Sequence, residues 1–391
     1  MSVTLKYVFG LIPGVNKNLD AAAPLSNTLT RRITELDGLR GIAILLVISF
    51  HYINNQLVQS QHPAGKVLSL LTSFGWVGVD LFFILSGFLI GSILIRNKGR
   101  KNYFSTFYIR RIVRIIPNYY LLLTLFLLLL TIPYFSRNYF LTGNDSVPLW
   151  AYFTMVQNFF MASNYDMGNK ALSVTWSIGI EEQFYILIPL VVYIVRKSWL
   201  PFILVGIIIM ASFMRMQYDN WKPAYVLLHC RADSLAIGIL ISWLNQQVDL
   251  NEFVTKYFKH LMALLMVTFG MIGYLFVRYA DLGPVKNLLF GIIFGIGLLL
   301  ALTRQSSWYG ALLRNKQLVW VGTISYSLYL FHYIILGVFH HVFANRGGIE
   351  IQGGKDVVIT LGALIASFAF SWFVYNRLEV PMTKIGKRYS Y

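Results

Sequence analysis

Apolar runs of about twenty residues recur along the chain from Gly41 to Tyr375, and no long polar stretch separates them. A helix of this length crosses the hydrocarbon core of a bilayer, which is about 30 Å thick. We therefore expect an all-α, polytopic transmembrane bundle of about ten spans. The predicted spans cover residues 41–57, 75–95, 115–133, 176–195, 199–217, 226–244, 260–278, 285–303, 318–342 and 357–377.

The composition favours one membrane domain over several soluble ones. Hydrophobic residues make up 57% of the 391 residues and charged residues 13%, about half the charged share of a soluble domain. We predict that residues 31–391 form a membrane-embedded domain and that residues 1–30 form an N-terminal cytoplasmic or interfacial segment. The single cysteine, Cys230, excludes an internal disulfide and a Cys-based zinc site, and we expect no metal.

The basic residues predict the orientation. If the N-terminus is cytoplasmic, 23 of the 33 Lys and Arg residues fall on the inner side, and the net charge of +17 lies wholly there. This positive-inside pattern predicts that both termini are cytoplasmic. Nucleic-acid binding is not expected, because no soluble basic module is present. Residues 96–114 hold seven Lys and Arg and no acid, a density that indicates a polyanionic cytosolic ligand.

Ionisable residues inside the spans are the candidates for chemistry, because each costs about 3 kcal/mol or more in a bilayer. His51 follows Arg40 by eleven residues, so both face the same way, about 16 Å apart along the helix. Glu181 and Glu182 lie in the outer third of the predicted fourth span, and only one of them can face a given partner. Three further groups we interpret individually as packing contacts: Arg231, Asp233 and His332.

These residue types leave two classes of function open. A histidine at mid-depth with a carboxylate nearby is typical of a general base, because the carboxylate raises the basicity of the imidazole and fixes its tautomer. An enzyme that moves a group across the bilayer would use His51 in this way. A proton-coupled transporter would instead use His51 and Glu181 as a proton relay.

Seven stretches between Leu36 and Arg388 resemble, in order, the acyltransferase 3 family of membrane O-acyltransferases. They are LDGLRGIAILLVISFH (36–51), GVDLFFILSGFLI (78–90), FYIRRIVRIIPNYY (107–120), WSIGIEEQFYILIP (176–189), RADSLAIGIL (231–240), ISYSLYLFH (324–332) and NRLEVP (376–381). The resemblance implies an enzyme of the bacterial inner membrane. Its donor would be cytosolic acyl-CoA, expected to be acetyl-CoA, and no cofactor would be bound permanently. Some members add an SGNH-type domain, which we do not expect in these 391 residues.

The resemblance also implies roles for particular residues. The Arg–His motif of the family falls on Arg40 and His51, and its glutamate falls on Glu181. His51 would take the proton from the acceptor hydroxyl, or take the acyl group itself, while Glu181 holds the imidazole. Arg40 would hold the pyrophosphate of CoA or orient its pantetheine arm. The acceptor would be an extracytoplasmic glycan or lipid-linked saccharide, met by the outer residues 134–175 and 343–356. The CoA phosphates would be held by Arg110, Arg111 and Arg114.

Overall fold

The computed structural model describes residues 33–137, 139–143, 146–279 and 283–391. The segment predicted over residues 1–30 lies outside these ranges. Every regular element within them is helical, which confirms the all-α prediction.

Ten long helices of the described chain coincide with the ten predicted spans. They are α1 (Thr34–Leu57), α2 (Gly78–Asn97), α3 (Tyr103–Thr131), α4 (Trp176–Ile194), α5 (Leu200–Arg215), α6 (Leu228–Asn245), α7 (Leu250–Tyr279), α8 (Lys286–Thr303), α9 (Ser325–Ala344) and α10 (Gly354–Gly386). Within the described ranges, nine helical segments are long and apolar enough to cross a membrane. The exception is α5, whose 16 residues extend about 24 Å, short of the roughly 30 Å hydrocarbon core.

Short helices connect the long ones. One group lies between α3 and α4, where the sequence predicted an outer cap: Pro133–Ser136, Tyr139–Thr142, Leu149–Phe153, Gln157–Ser163 and the 3₁₀ turn Lys170–Thr175. The others are Pro63–Thr72, Trp221–Val226, Trp308–Leu313 and Lys316–Thr323, with 3₁₀ turns at Gly75–Val77 and Gly283–Val285. We call the end of the bundle where α1 and α3 begin the proximal face and the opposite end the distal face. The proximal face is the one predicted to be cytoplasmic.

Two π-helical turns interrupt regular helices, at Phe50–Asn54 in α1 and at Tyr375–Glu379 in α10. Such turns insert a residue into the helical ladder and are frequent at functional sites. The turn in α1 includes His51, the histidine that the sequence selects as a candidate base.

Small residues allow α2 and α6 to pack closely along their length. A Cβ atom at Gly87 would lie 2.1 Å from the Leu235 carbonyl oxygen, and one at Gly238 would lie 2.1 Å from the Ile84 carbonyl oxygen. Both positions therefore require glycine, as in other tightly packed membrane helices. Around this pair, α9 packs on α10 and α5 on α6, while α7 lies at the periphery with most of its side chains exposed.

Candidate active site

A cavity of about 100 Å³ lies among α1, α2, α3, α4 and α9 in the proximal half of the bundle. Its polar lining residues are Arg40, Ser86, Arg111, Arg114, Ser177, Glu181, Tyr185, Ser325, Tyr326 and Tyr329. Four of the six residues predicted for the site therefore meet in one place: Arg40, Arg111, Arg114 and Glu181. They come from three helices that are distant in sequence.

Arg111 and Arg114 have no polar partner in the described part of the chain. No described side chain or carbonyl accepts a hydrogen bond from either guanidinium, and no carboxylate oxygen lies within 4.0 Å of them. The Nε atom of Arg111 is buried without a partner, and the group lies 5.8 Å from the Phe107 ring and 5.9 Å from the Tyr185 ring. Arg111 and Arg114 are half-buried and line the cavity. Guanidinium donors without an internal acceptor at such a position indicate a site for an anionic ligand.

The third arginine of the cavity, Arg40, is partly paired. Its Nη1 atom lies 3.3 Å from Asp37 Oδ1, one turn earlier on α1. Asp37 therefore holds Arg40 in place, and the guanidinium still lines the cavity at the proximal end of α1.

Glu181, and not Glu182, faces the cavity. It shares the cavity lining with Arg40, Arg111, Arg114 and Tyr185. Glu182 points elsewhere, and its Oε1 atom is buried without a hydrogen-bond partner among the described residues.

Glu181 is the sixth residue of α4 (Trp176–Ile194), in the third of that helix nearest its distal end. No hydrogen bond joins Glu181 to His51 among the described residues, since the ring partner of His51 is His332. The imidazole contact expected for Glu181 is therefore made by a different residue.

Arg110 belongs to a different surface from Arg111 and Arg114. Its Nε and Nη2 atoms donate to the Tyr389 carbonyl oxygen at 3.0 and 2.5 Å, and the guanidinium lies 5.2 Å from the centre of the Tyr391 ring. The predicted basic motif is therefore divided between two faces of α3, and only part of it lines the cavity.

His51 pairs with a second histidine. Its Nδ1 atom lies 3.4 Å from Nε2 of His332 on α9, and the two ring centres are 5.0 Å apart. His51 is half-buried, whereas His332 is fully buried. Tyr52, the next residue of the π turn, places its hydroxyl 2.8 Å from the His332 carbonyl oxygen and 2.8 Å from Ser367 Oγ on α10.

The lining of the cavity does not include His51. Tyr329 does line it, one turn before His332 on α9. The Tyr329 hydroxyl lies 2.7 Å from Ser177 Oγ and 2.9 Å from the Val174 carbonyl oxygen. Tyr329 and Ser177 are both buried, and we call this hydrogen-bonded pair in the cavity wall the partition.

Sequence reasoning missed the roles of His332 and Tyr329. The signal for His332 was present, because the first and ninth spans run in the same direction and each carries a histidine inside it. For Tyr329 no comparable signal exists, since a tyrosine in an apolar helix is common and only the folded bundle brings it to Ser177.

Two buried ion pairs lie in the distal half of the bundle. Arg231 Nη2 lies 3.0 Å from Asp80 Oδ1, and Arg215 Nη1 lies 2.8 Å from Asp233 Oδ2. All four side chains are at most 2% exposed. The Arg231 guanidinium also packs against the rings of Phe83, Trp176 and Tyr225.

Comparison with known proteins confirms the resemblance. Residues 33–376 match the family described as an acyltransferase domain. The O-acetyltransferase OatA proteins of Staphylococcus aureus strains NCTC 8325 / PS 47 and COL are each 26% identical to this chain over 379 residues. Each alignment covers 91% of this chain and 58% of the relative, so the chain spans 58% of the length of these relatives. No solved structure matches it significantly.

Proposed function

This chain belongs to the acyltransferase-domain family, and from that premise we propose that it is a membrane-bound O-acyltransferase. It takes an acetyl group from acetyl-CoA at the proximal, cytoplasmic face of a bacterial inner membrane. It transfers the group to a hydroxyl of an extracytoplasmic glycan or lipid-linked saccharide at the distal face. The O-acetyltransferase names of its relatives support the acetyl group.

The unpartnered guanidiniums of Arg111 and Arg114 carry the proposal for the donor. CoA bears several phosphate charges, and guanidinium groups bind phosphate through bidentate, charge-assisted hydrogen bonds. Arg40 lines the same cavity and is the cation nearest to the pantetheine arm as the arm extends along α1. Arg110 does not belong to this site, because its guanidinium donates to the Tyr389 carbonyl oxygen and lies over the Tyr391 ring.

His51 supplies the base in this proposal. Its imidazole removes the proton of the acceptor hydroxyl while the oxygen attacks the thioester carbonyl carbon. The bond from carbon to sulfur then breaks, and the departing CoA thiolate takes up the proton, which leaves an ester and free CoA. The alternative route forms an acyl-imidazole on His51 first and transfers the acyl group in a second step.

The partition formed by Tyr329 and Ser177 adds a conformational step. The thioester enters the cavity from the proximal face, whereas His51 is not part of the cavity lining. In this proposal, donor binding breaks the contact between Tyr329 and Ser177 so that the thioester reaches His51. Glu181 lines the same cavity as Arg111 and Arg114 without a direct ion pair to either, in place of the imidazole contact expected from the sequence.

The substitution His51→Ala tests the proposal. Purified protein in liposomes receives labelled acetyl-CoA on one side and the envelope glycan fraction on the other, and both released CoA and labelled glycan are measured. We expect transfer to fall by roughly 10²- to 10⁴-fold, the usual contribution of a general base, with unchanged acetyl-CoA binding.

The control is His260→Ala, a change at an exposed histidine on the peripheral α7, which should leave transfer unchanged. Normal transfer by the His51 variant would refute its role. Proton-driven flux without any labelled glycan would instead favour the transporter interpretation.

A further inference from the structure

We infer that His332 is a positioning residue that holds His51 in one tautomer, with the proton on Nδ1 and a free lone pair on Nε2. The inference rests on the proposed function of His51 as the base. It assigns to a second histidine the role that the sequence predicted for a carboxylate.

The proton of His332 is located by its backbone contacts. Its Nδ1 atom lies 2.8 Å from the Tyr329 carbonyl oxygen and 3.0 Å from the Leu328 carbonyl oxygen. Carbonyl oxygens only accept hydrogen bonds, so Nδ1 must carry the proton. His332 is fully buried and has no carboxylate within 4.0 Å among the described residues. The ring is therefore neutral, because a buried cation without a counter-ion is strongly disfavoured, and Nε2 is left as an acceptor.

The state of His51 follows from that acceptor. Its Nδ1 atom faces His332 Nε2 at 3.4 Å, a long hydrogen bond. Two lone pairs at this distance would repel each other, so the contact is favourable only when His51 Nδ1 carries a proton. A neutral imidazole has one proton, and His51 Nε2 is thus the unprotonated atom that can accept the proton of an alcohol. A carboxylate has the same effect in hydrolase triads.

Neighbouring side chains fix the positions of the His51 and His332 rings relative to each other. Tyr52 follows His51 in the π turn and bonds to both the His332 carbonyl oxygen and Ser367. The Tyr333 ring packs at 4.5 Å from the His51 ring centre. The pair is therefore fixed by α1, α9 and α10 together. Because the partner is a neutral imidazole, no net charge has to be held at this depth before the reaction begins.

A measurement on the unaltered protein tests the tautomer directly. Protein labelled with ¹⁵N-histidine is examined by NMR in detergent, and the ring signals of His51 are assigned from their absence in His51→Ala. We expect the Nδ1 shift of a protonated, pyrrole-type nitrogen and the Nε2 shift of an unprotonated, pyridine-type nitrogen. The reverse pattern, or an even mixture of tautomers, would overturn the inference without any need for an activity assay.

Two substitutions test the consequence for catalysis. His332→Leu removes the acceptor and should lower kcat by roughly 10- to 100-fold, the usual effect of losing an orienting partner, while KM for acetyl-CoA stays within about twofold. His332→Gln keeps an amide oxygen for the Nδ1 proton and should recover most of kcat. Equal loss in both variants, or full kcat in His332→Leu, would contradict a positioning role. An active His51→Ala protein would refute the base itself but leave the NMR result standing, so the two failures are distinguishable.

Discussion

The arginines in the two halves of the bundle have opposite surroundings. In the distal half, Arg215 and Arg231 each have a carboxylate within 3.0 Å. In the proximal half, Arg111 and Arg114 line a cavity and have no carboxylate within 4.0 Å among the described residues. A charge that forms an ion pair inside the protein serves the scaffold, whereas a charge that lines a cavity without a carboxylate beside it is available to a ligand.

The distal network also extends beyond its ion pairs, although the Nε and Nη1 atoms of Arg231 are buried without a hydrogen-bond partner among the described residues. Asp80 accepts hydrogen bonds from Ser234 Oγ at 3.0 Å and from Asn287 Nδ2 at 3.4 Å. These contacts connect α2, α6 and α8, so the network ties three helices together. The proximal arginines make no comparable connection, and their loss should not loosen the bundle. We therefore expect substitutions in the distal network to lower stability and substitutions of the proximal arginines to weaken ligand binding.

The largest effect is expected from Asp80→Asn, which leaves Arg231 buried without its counter-ion. Removing one partner of a buried pair typically costs about 3–5 kcal/mol, so the thermal midpoint in detergent should fall sharply. The protein that remains folded should bind acetyl-CoA normally. Arg346→Gln is the control, because the Arg346–Asp356 pair is partly exposed and its loss should cost about 1 kcal/mol. A weaker affinity without a loss of stability would show that the distal network also serves the donor.

A smaller effect, on binding alone, is expected from Arg114→Gln. Loss of a charge-assisted hydrogen bond costs about 1.5–3 kcal/mol, which corresponds to roughly 10- to 150-fold weaker binding of acetyl-CoA in calorimetry. The free protein should be as stable as the unaltered one or more so, because no internal partner is lost. If Arg114→Gln unfolded more easily while affinity was unchanged, the distinction between the two groups would fail.

The smallest effect is expected from Arg110→Gln, four residues earlier on the same helix. The guanidinium of Arg110 contacts Tyr389 and Tyr391 outside the cavity. We therefore expect the binding free energy of acetyl-CoA to weaken by less than about 1 kcal/mol, which is under fivefold in affinity. This variant matches Arg114→Gln in charge and location. An equal loss of affinity in the two variants would extend the phosphate site to the C-terminal segment.

The sequence predicted the bundle well because long apolar runs leave few alternatives to spanning helices. The errors lie at the helix ends. Helix α3 begins at Tyr103 and not at residue 115, because the basic residues of its first turns lower the hydropathy without breaking the helix. The predicted span at 199–217 is the short helix α5, whose length alone does not reach across the hydrocarbon core.

The site was predicted only in part. The identities of Arg40, His51 and Glu181 came from costly residues in apolar runs and from family motifs, and three arginines do meet Glu181 or its cavity. Which side chains touch depends on helix rotation and on contacts between distant helices, and a single sequence encodes neither directly. For this reason the partner of His51 was expected to be Glu181, whereas it is His332.

The partition between Tyr329 and Ser177 has an electrical consequence. A protein that admits a water-soluble donor at one face and an alcohol at the other would dissipate the ion gradient of its membrane if the two openings joined. Under the proposed function, the hydrogen bond between these buried hydroxyls would keep the two openings apart. A group the size of acetyl would then pass from one side to the other while the bilayer stays insulating.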